Sequence, residues 1–171
     1  MKKISLLIIA ITTIASAQLR VGIDVSRQLS LSGLPAETAD GMGFTLGYEQ
    51  TLFSLVGLGA EYSAAGDGDE GIDMLYGYAV AKIPFGIPTF RGIVRAGYSL
   101  PMGDAADYYD AGLAYGAGLR FKLPLFPIGL EALYTMHNLE MKSTGDDLGD
   151  MLASLLKLKY NVMTLTATYS F

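Results

Sequence analysis

Apolar and polar residues alternate along most of the chain after residue 18. The first such segment opposes Leu19, Val21, Ile23 and Val25 to Arg20, Gly22, Asp24 and Ser26. A period of two places successive side chains on opposite faces of a β-strand. The same alternation recurs over residues 43–49, 56–63, 91–100, 112–122, 128–136 and 162–171. The pattern therefore predicts an all-β fold.

The segment 73–83 completes a set of eight strands but leaves its own orientation open. Met74, Tyr76, Tyr78 and Val80 share parity with Lys82. Either the two tyrosines point inward with Lys82, or a bulge changes the register. Eight strands of about ten residues each are long enough to cross a bilayer when they are tilted.

The connections between these strands alternate in length. Three are short, at residues 53–55, 84–89 and 123–127, and four are longer and polar, at residues 29–41, 64–72, 101–110 and 137–159. Short periplasmic turns and long outer loops are typical of outer-membrane barrels. The sequence thus predicts an all-β, eight-stranded antiparallel up-and-down transmembrane β-barrel.

Side-chain size decides which set of residues faces outward. One set is bulky and apolar, whereas the other is glycine, alanine, serine and threonine with scattered charges. Small residues suit the crowded interior of an eight-stranded barrel, and a soluble barrel would need the opposite arrangement. We therefore predict an apolar exterior. Arg27 shares the outward parity of the first strand, and we expect it past the end of that strand, at the outer rim.

The inward set carries a nearly balanced group of charges. Its members are Arg20, Asp24, Glu49, Glu61, Arg91, Arg95, Arg120, Lys122 and Glu131. Buried charges need partners, so we predict a network of salt bridges that fills the lumen, with Arg95 paired to Asp24 or Glu131. The alternative is a narrow, gated polar path.

Composition and the N-terminus narrow the class of protein. The chain is 51% hydrophobic and only 17% charged, with 21 glycines and no cysteine, which excludes a disordered chain and thiol chemistry. Lys2 and Lys3 precede an apolar stretch and an Ala15-Ser16-Ala17 cleavage site. We predict a signal peptide at 1–17 and an outer-membrane β-barrel domain at 18–171. Cleavage would change the net charge from −5 to −7, with no sign of nucleic-acid binding.

Aromatic residues gather at both ends of the predicted strands. Phe53, Phe85, Phe90, Phe121, Phe126 and Phe171 lie at the periplasmic ends, and Tyr62, Tyr98, Tyr115 and Tyr134 lie toward the outer ends. Two aromatic girdles are expected where a barrel meets the lipid headgroups.

Together with the terminal Tyr169-Ser170-Phe171, these features resemble the small outer-membrane β-barrels of Gram-negative bacteria, the OmpA/OmpX/opacity-type superfamily. The resemblance covers the whole mature chain. It implies a multi-pass, monomeric protein of the cell outer membrane, in contact with outer-membrane lipid and lipopolysaccharide. It also implies that Leu165, Ala167, Tyr169 and Phe171 form the signal that the barrel-assembly machinery reads.

Three features of the outer loops suggest possible chemistry. His137 opens the longest loop with Ser143 nearby, but parity points His137 inward, and we interpret it as a rim histidine without a catalytic role. The segment 67–73 superficially resembles a calcium loop but lacks the spacing and terminal glutamate of an EF-hand. We interpret it as a solvated loop, with weak divalent binding as the alternative. Residues 146–156 have the apolar spacing of a short helix, although residues 153–159 could instead extend the last strand.

Thirteen of the seventeen acidic residues fall in the predicted outer loops. They are Glu37, Asp40, Asp67, Asp69, Glu70, Asp73, Asp104, Asp107, Asp110, Glu140, Asp146, Asp147 and Asp150. We therefore predict a non-enzymatic barrel, without cofactor or metal, that has a structural or surface-interaction role through acidic loops. The alternatives are a narrow porin or small-solute channel and, third, a lipid A-modifying enzyme that uses His137.

Overall fold

The computed structural model describes residues 15–31, 36–39, 41–66, 71–123, 125–142 and 157–171. Over these residues the chain forms eight long strands, two short strands and one short helix. In chain order they are β1 Ala15–Leu31, β2 Glu37–Thr38, β3 Gly43–Leu52, β4 Val56–Ala64, β5 Met74–Pro84, β6 Phe90–Pro101, α1 Ala105–Tyr108, β7 Tyr109–Asp110, β8 Gly112–Lys122, β9 Ile128–Met141 and β10 Lys157–Ser170.

The eight long strands close into an antiparallel barrel. Each pairs with its neighbour in the order β1, β3, β4, β5, β6, β8, β9 and β10. Pairing of β10 with both β9 and β1 joins the two edges of the sheet. Closure satisfies the backbone hydrogen-bonding groups that an open sheet would leave free at its edges. The predicted eight-stranded antiparallel barrel is confirmed.

The alternation of the sequence becomes an alternation of burial. The exposed fraction is 59% for Val21 and 61% for Leu46, but only 1% for Arg20 and 0% for Glu49. Apolar side chains thus cover the exterior while charged and small residues face the interior, as predicted. An apolar exterior on a closed barrel is the surface that lipid requires.

Strand β5 resolves the orientation that the sequence left open. Its pairings with β4 and β6 run without a register shift. Tyr76, Tyr78 and Lys82 are all buried, at 2%, 4% and 3% exposure. The first alternative is therefore correct: the two tyrosines and the lysine point into the barrel.

Strand β1 does contain an irregularity, and it corrects the prediction for Arg27. The register against β10 shifts between Asp24 and Ser26, so Val25 has no partner there. One extra residue reverses which parity faces inward. Arg27 consequently points into the barrel and is only 1% exposed. It lies within β1, which continues to Leu31. The prediction that Arg27 faces outward beyond the end of the strand is therefore wrong.

Several strands run further toward the long loops than predicted. Strand β9 continues to Met141 and β10 begins at Lys157. His137 therefore lies within β9, not at the start of a loop as predicted. The helix predicted for residues 146–156 lies outside the described residues. Among the described residues, no helix is long and apolar enough to cross a membrane.

Candidate functional site: the barrel interior

The barrel has two ends that differ in their connections. At the turn end, the turns 53–55, 85–89 and 123–127 connect strands, and the longer loops lie at the opposite, loop end.

Inside the described part of the barrel, cationic side chains outnumber carboxylates. The cations are Arg20, Arg27, Lys82, Arg91, Arg95, Arg120 and Lys122, and the carboxylates are Asp24, Glu49, Glu61 and Glu131. The structure adds Arg27 and Lys82 to the residues predicted from the sequence.

Arg20 stands at the centre of an ion-pair network. Its Nη1 lies 2.7 Å from Glu131 Oε2 and 3.4 Å from Glu49 Oε2, and its Nε lies 3.3 Å from Glu61 Oε2. The Arg20 side chain has no exposed surface. One guanidinium therefore bridges carboxylates from three different strands, β3, β4 and β9.

Each of these carboxylates also contacts a second cation. Lys82 Nζ lies 2.5 Å from Glu49 Oε1, Arg95 Nη1 lies 3.0 Å from Glu61 Oε2, and Arg120 Nη1 lies 3.0 Å from Glu131 Oε1. Sharing in this way compensates buried charges that would be unstable alone. We call Arg20, Lys82, Arg95, Arg120 and their three glutamates the central network.

The partner of Arg95 differs from the prediction. Arg95 pairs with Glu61 rather than with Asp24 or Glu131, and its Nη2 donates to Thr135 Oγ1 at 3.1 Å. Its guanidinium carbon also lies 4.6 Å from the centre of the Tyr78 ring, a cation–π contact.

Asp24 is held by hydroxyl groups nearer the loop end. Its Oδ1 accepts hydrogen bonds from Thr164 Oγ1 at 2.9 Å and Thr45 Oγ1 at 3.3 Å, and its Oδ2 accepts from Ser63 Oγ at 3.2 Å. The small polar residues of the inward set thus act as donors. Arg27, one layer above, donates to the Ala65 carbonyl oxygen.

Apolar side chains fill the interior at the loop end. The buried cluster there comprises Ile72, Met74, Leu139, Leu158, Tyr160 and Val162. Leu139 and Leu158 are 0% and 1% exposed. The central network therefore lies toward the turn end of the interior, and the apolar cluster lies at the loop end.

His137 lies between these two parts and bonds to a serine. Ser99 Oγ and His137 Nδ1 are 2.5 Å apart, and the His137 ring meets Tyr76 edge-on with centroids 5.4 Å apart. Ser99 is 0% and His137 6% exposed. Within the described strands, no aspartate or glutamate donates to or accepts from this histidine, so the pair is a buried serine–histidine contact without an acid.

The loop residues singled out in the sequence are only partly described. Glu37, Asp104, Asp107, Asp110 and Glu140 are exposed. Asp73 accepts hydrogen bonds from the Ala65 amide at 2.7 Å and the Tyr62 hydroxyl at 3.1 Å. Asp40, Asp67, Asp69, Glu70, Asp146, Asp147 and Asp150 lie outside the described residues. Among the residues that are described, no group of three or more histidine, aspartate or glutamate side chains could hold a metal ion.

Two further groups of predicted residues lie at the turn end or on the exterior. Arg91 and Lys122 are partly or fully exposed at the turn end of the interior. Leu165, Tyr169 and Phe171 are exposed on the outer face of β10 and just beyond it, at 46%, 51% and 66%. Ala167 also faces outward.

Comparison with solved structures identifies the architecture. Neisserial surface protein A matches with a TM-score of 0.58 at 10% identity, over 92% of this chain and 97% of that chain. Ail, the attachment invasion locus protein of Yersinia pestis, matches with a TM-score of 0.50 at 20% identity, over 92% and 99%. The chain has the fold of the small outer-membrane β-barrels. Family models and curated protein sequences gave no match.

Proposed function

We propose that the protein is an integral, monomeric barrel of the cell outer membrane with a closed lumen, and that it interacts with partners through acidic extracellular loops. It is exported by a signal peptide cleaved after Ala17, and its terminal residues Leu165, Ala167, Tyr169 and Phe171 are read by the barrel-assembly machinery. Outer-membrane lipid and lipopolysaccharide surround its apolar exterior. It carries out no chemical reaction.

The observation that carries this proposal is the contrast between the two faces of the barrel. The exterior is apolar, while Arg20 and its glutamate partners are buried in mutual contact with side-chain exposures between 0% and 9%. Side chains at such contact distances leave little room for solute. The apolar cluster around Leu139 and Leu158 supports closure at the loop end as well.

Exposed acidic side chains support the surface role. Asp104, Asp107 and Asp110 lie close together in sequence around α1 and are all exposed. The two barrels of similar fold are described as a surface protein and as an attachment and invasion protein. A partner recognised through this surface would carry positive charge.

The buried position of His137 argues against an enzyme that uses it. Lipid substrates would approach from the exterior, whereas Ser99 and His137 face the interior at 0% and 6% exposure. Expression of the protein should therefore leave the mass spectrum of lipid A unchanged. A modified lipid A that reverts to normal with His137→Ala would establish the enzyme instead.

Epitope labelling tests the placement of the loops. An epitope inserted at Asp104 should bind antibody on intact Gram-negative cells. The matched insertion at Gly86, in a turn at the other end of the barrel, should bind only after the outer membrane is permeabilised. The reverse pattern, or labelling of both on intact cells, would contradict the proposal.

Capture on a polylysine-coated sensor tests the charge of the loops. Protein in uncharged nanodiscs should be retained, and the triple variant Asp104→Asn, Asp107→Asn, Asp110→Asn should be retained at least several-fold less. The control variant Lys157→Gln, Lys159→Gln removes positive charge from the same end and should be retained more strongly. Equal retention of all three proteins would show that these loops do not determine the interaction.

A further inference from the structure

A small cavity of about 70 Å³ lies inside the turn end of the barrel. Four cationic side chains line it: Lys82, Arg91, Arg120 and Lys122. The remaining described lining residues are serines and Gln18, and none of them is acidic. A space of this size exceeds that of a single water molecule. Four cations from the adjacent strands β5, β6 and β8, with no carboxylate among the described lining residues, create a strongly positive electrostatic potential.

Two of these cations converge on one neutral oxygen. Lys82 Nζ and Arg120 Nη1 both donate to Gln18 Oε1, at 3.0 Å and 2.5 Å. The carboxylates that contact Lys82 and Arg120 belong to the central network, where each is shared with Arg20. A neutral amide oxygen orients two cationic donors but does not neutralise them.

The other two cations, Arg91 and Lys122, differ from Lys82 and Arg120 in their contacts. Arg91 donates from Nη1 to the Ser54 carbonyl oxygen at 2.6 Å, a contact that fixes the side chain but leaves most guanidinium N–H groups available. Within the described part of the chain, neither Arg91 nor Lys122 lies within ion-pair distance of a carboxylate. The cavity therefore holds positive charge beyond what the central network compensates.

An unsatisfied hydroxyl group provides a second, independent observation. Ser170 Oγ lies on the cavity wall, is buried, and has no hydrogen-bond partner among the residues that the structure describes. Buried polar atoms without a partner are uncommon in folded proteins and call for an explanation such as a bound ion or water. A hydroxyl group among four cations can donate to an anion.

We propose that this cavity binds a small oxyanion of the phosphate or sulfate class. Arg91 and Lys122 would supply charge-assisted hydrogen bonds, Ser170 would donate its hydroxyl hydrogen, and Lys82 and Arg120 would contribute charge from deeper in the barrel. Guanidinium groups match the geometry of tetrahedral oxyanions. The site is distinct from the proposed acidic surface, since it lies at the opposite end of the barrel.

Signal-peptide cleavage bears on access to the site. Ser16 also lines the cavity and precedes the proposed cleavage point after Ala17. Its removal would open this wall toward the periplasm while Gln18 remains. The mature protein, purified from the outer membrane of expressing cells, is therefore the form to test.

Isothermal titration calorimetry with inorganic phosphate tests the proposal. Mature protein in maltoside micelles should give saturable heat that sodium chloride at equal ionic strength does not give. The variant Arg91→Gln, Lys122→Gln should bind at least tenfold more weakly, because both residues lie outside the central network and donate to the ion. Lys157→Gln, Lys159→Gln, at the loop end, should bind phosphate as the unaltered protein does.

The outcomes separate the site from its alternatives. Gel mobility of unheated samples would detect impaired folding of the double variant. In that case the phosphate affinity of the single variant Arg91→Gln would be compared with that of the unaltered protein. A short-chain phosphatidylglycerol, added below its micellar concentration, distinguishes a lipid headgroup from free phosphate: binding of this lipid alone, lost with Arg91→Gln, assigns the same site to a headgroup. Absence of saturable heat with both ligands, or equal affinity in all variants, would overturn the proposal.

Discussion

Replacing Arg20 with methionine removes the cation that bridges the central network. The guanidinium contacts Glu49, Glu61 and Glu131 at 3.4, 3.3 and 2.7 Å. Methionine is unbranched and flexible and can occupy much of the vacated volume. The principal loss is therefore charge compensation in the barrel interior rather than packing.

The expected cost follows from the partners that remain. Removing one member of a buried ion pair typically destabilises a protein by about 3–5 kcal/mol, because the other charge is left uncompensated. Here three carboxylates lose a partner, but Glu49 keeps Lys82, Glu61 keeps Arg95 and Glu131 keeps Arg120. We therefore expect the lower part of that range, a loss of about 3 kcal/mol in the free energy of unfolding.

Urea unfolding of the barrel in lipid vesicles measures this change. The chain has 11 tyrosines and no tryptophan, so tryptophan fluorescence cannot follow its unfolding. Far-ultraviolet circular dichroism and the gel mobility of unheated samples should report folding instead. Lys159→Met, a matched substitution at an exposed position, should change the free energy of unfolding by no more than about 0.5 kcal/mol. A loss of less than about 1 kcal/mol for Arg20→Met would refute the idea that this guanidinium holds the interior together.

Three further substitutions test other parts of the barrel. Arg95→Ala should lower the melting temperature, since Glu61 loses a cation at 3.0 Å; an unchanged melting temperature would remove Arg95 from the network. Leu165→Arg places a charge on the lipid-facing surface and should cost about 2–4 kcal/mol in unfolding free energy, whereas a neutral result would mean that this face does not meet lipid. Gly97→Ala should prevent or slow formation of the heat-modifiable folded band, because a Cβ there would overlap the Gly77 carbonyl oxygen. Gly77→Ala, which has open space around the new Cβ, is its control, and equal behaviour of the two variants would contradict the close approach of β5 and β6.

The sequence predicts the architecture because the residue types within each strand indicate which of its faces meets lipid. A residue on a barrel strand faces either lipid or lumen, and the two environments demand opposite side chains. Seven strands could be oriented by parity alone. In β5 the rule was ambiguous because Tyr76 and Tyr78 suit either face, and Lys82 was the one residue of that set whose charge favoured the interior.

Parity counting failed where the register changed. The shift at Val25 reversed the faces of β1, so Arg27 turned inward. Nothing in the local pattern marks that bulge. The alternation continues past His137, since His137 and Leu139 are buried and Glu140 is exposed. The same period of two therefore predicts a longer β9 that includes His137.

Ion-pair partners could not be predicted from one sequence. Which charges meet depends on the stagger between neighbouring strands and on the curvature of the barrel. Parity predicts that Arg95 pairs with Asp24 or Glu131, but Arg95 on β6 pairs with Glu61 on β4, two strands away. The oxyanion cavity could not be predicted for the same reason. It brings the ends of β1 and β10 together with those of β5, β6 and β8, which are not their neighbours in the sheet.

Closure of the lumen is the central claim, and single-channel recording tests it most directly. Purified mature protein in planar bilayers of uncharged lipid, bathed in concentrated potassium chloride, should give no unitary current steps even at high protein density. Folded insertion would be verified by the heat-modifiable mobility of protein recovered from the same membranes. Uniform steps whose frequency rises with the amount of inserted protein would contradict the account and establish the narrow channel instead.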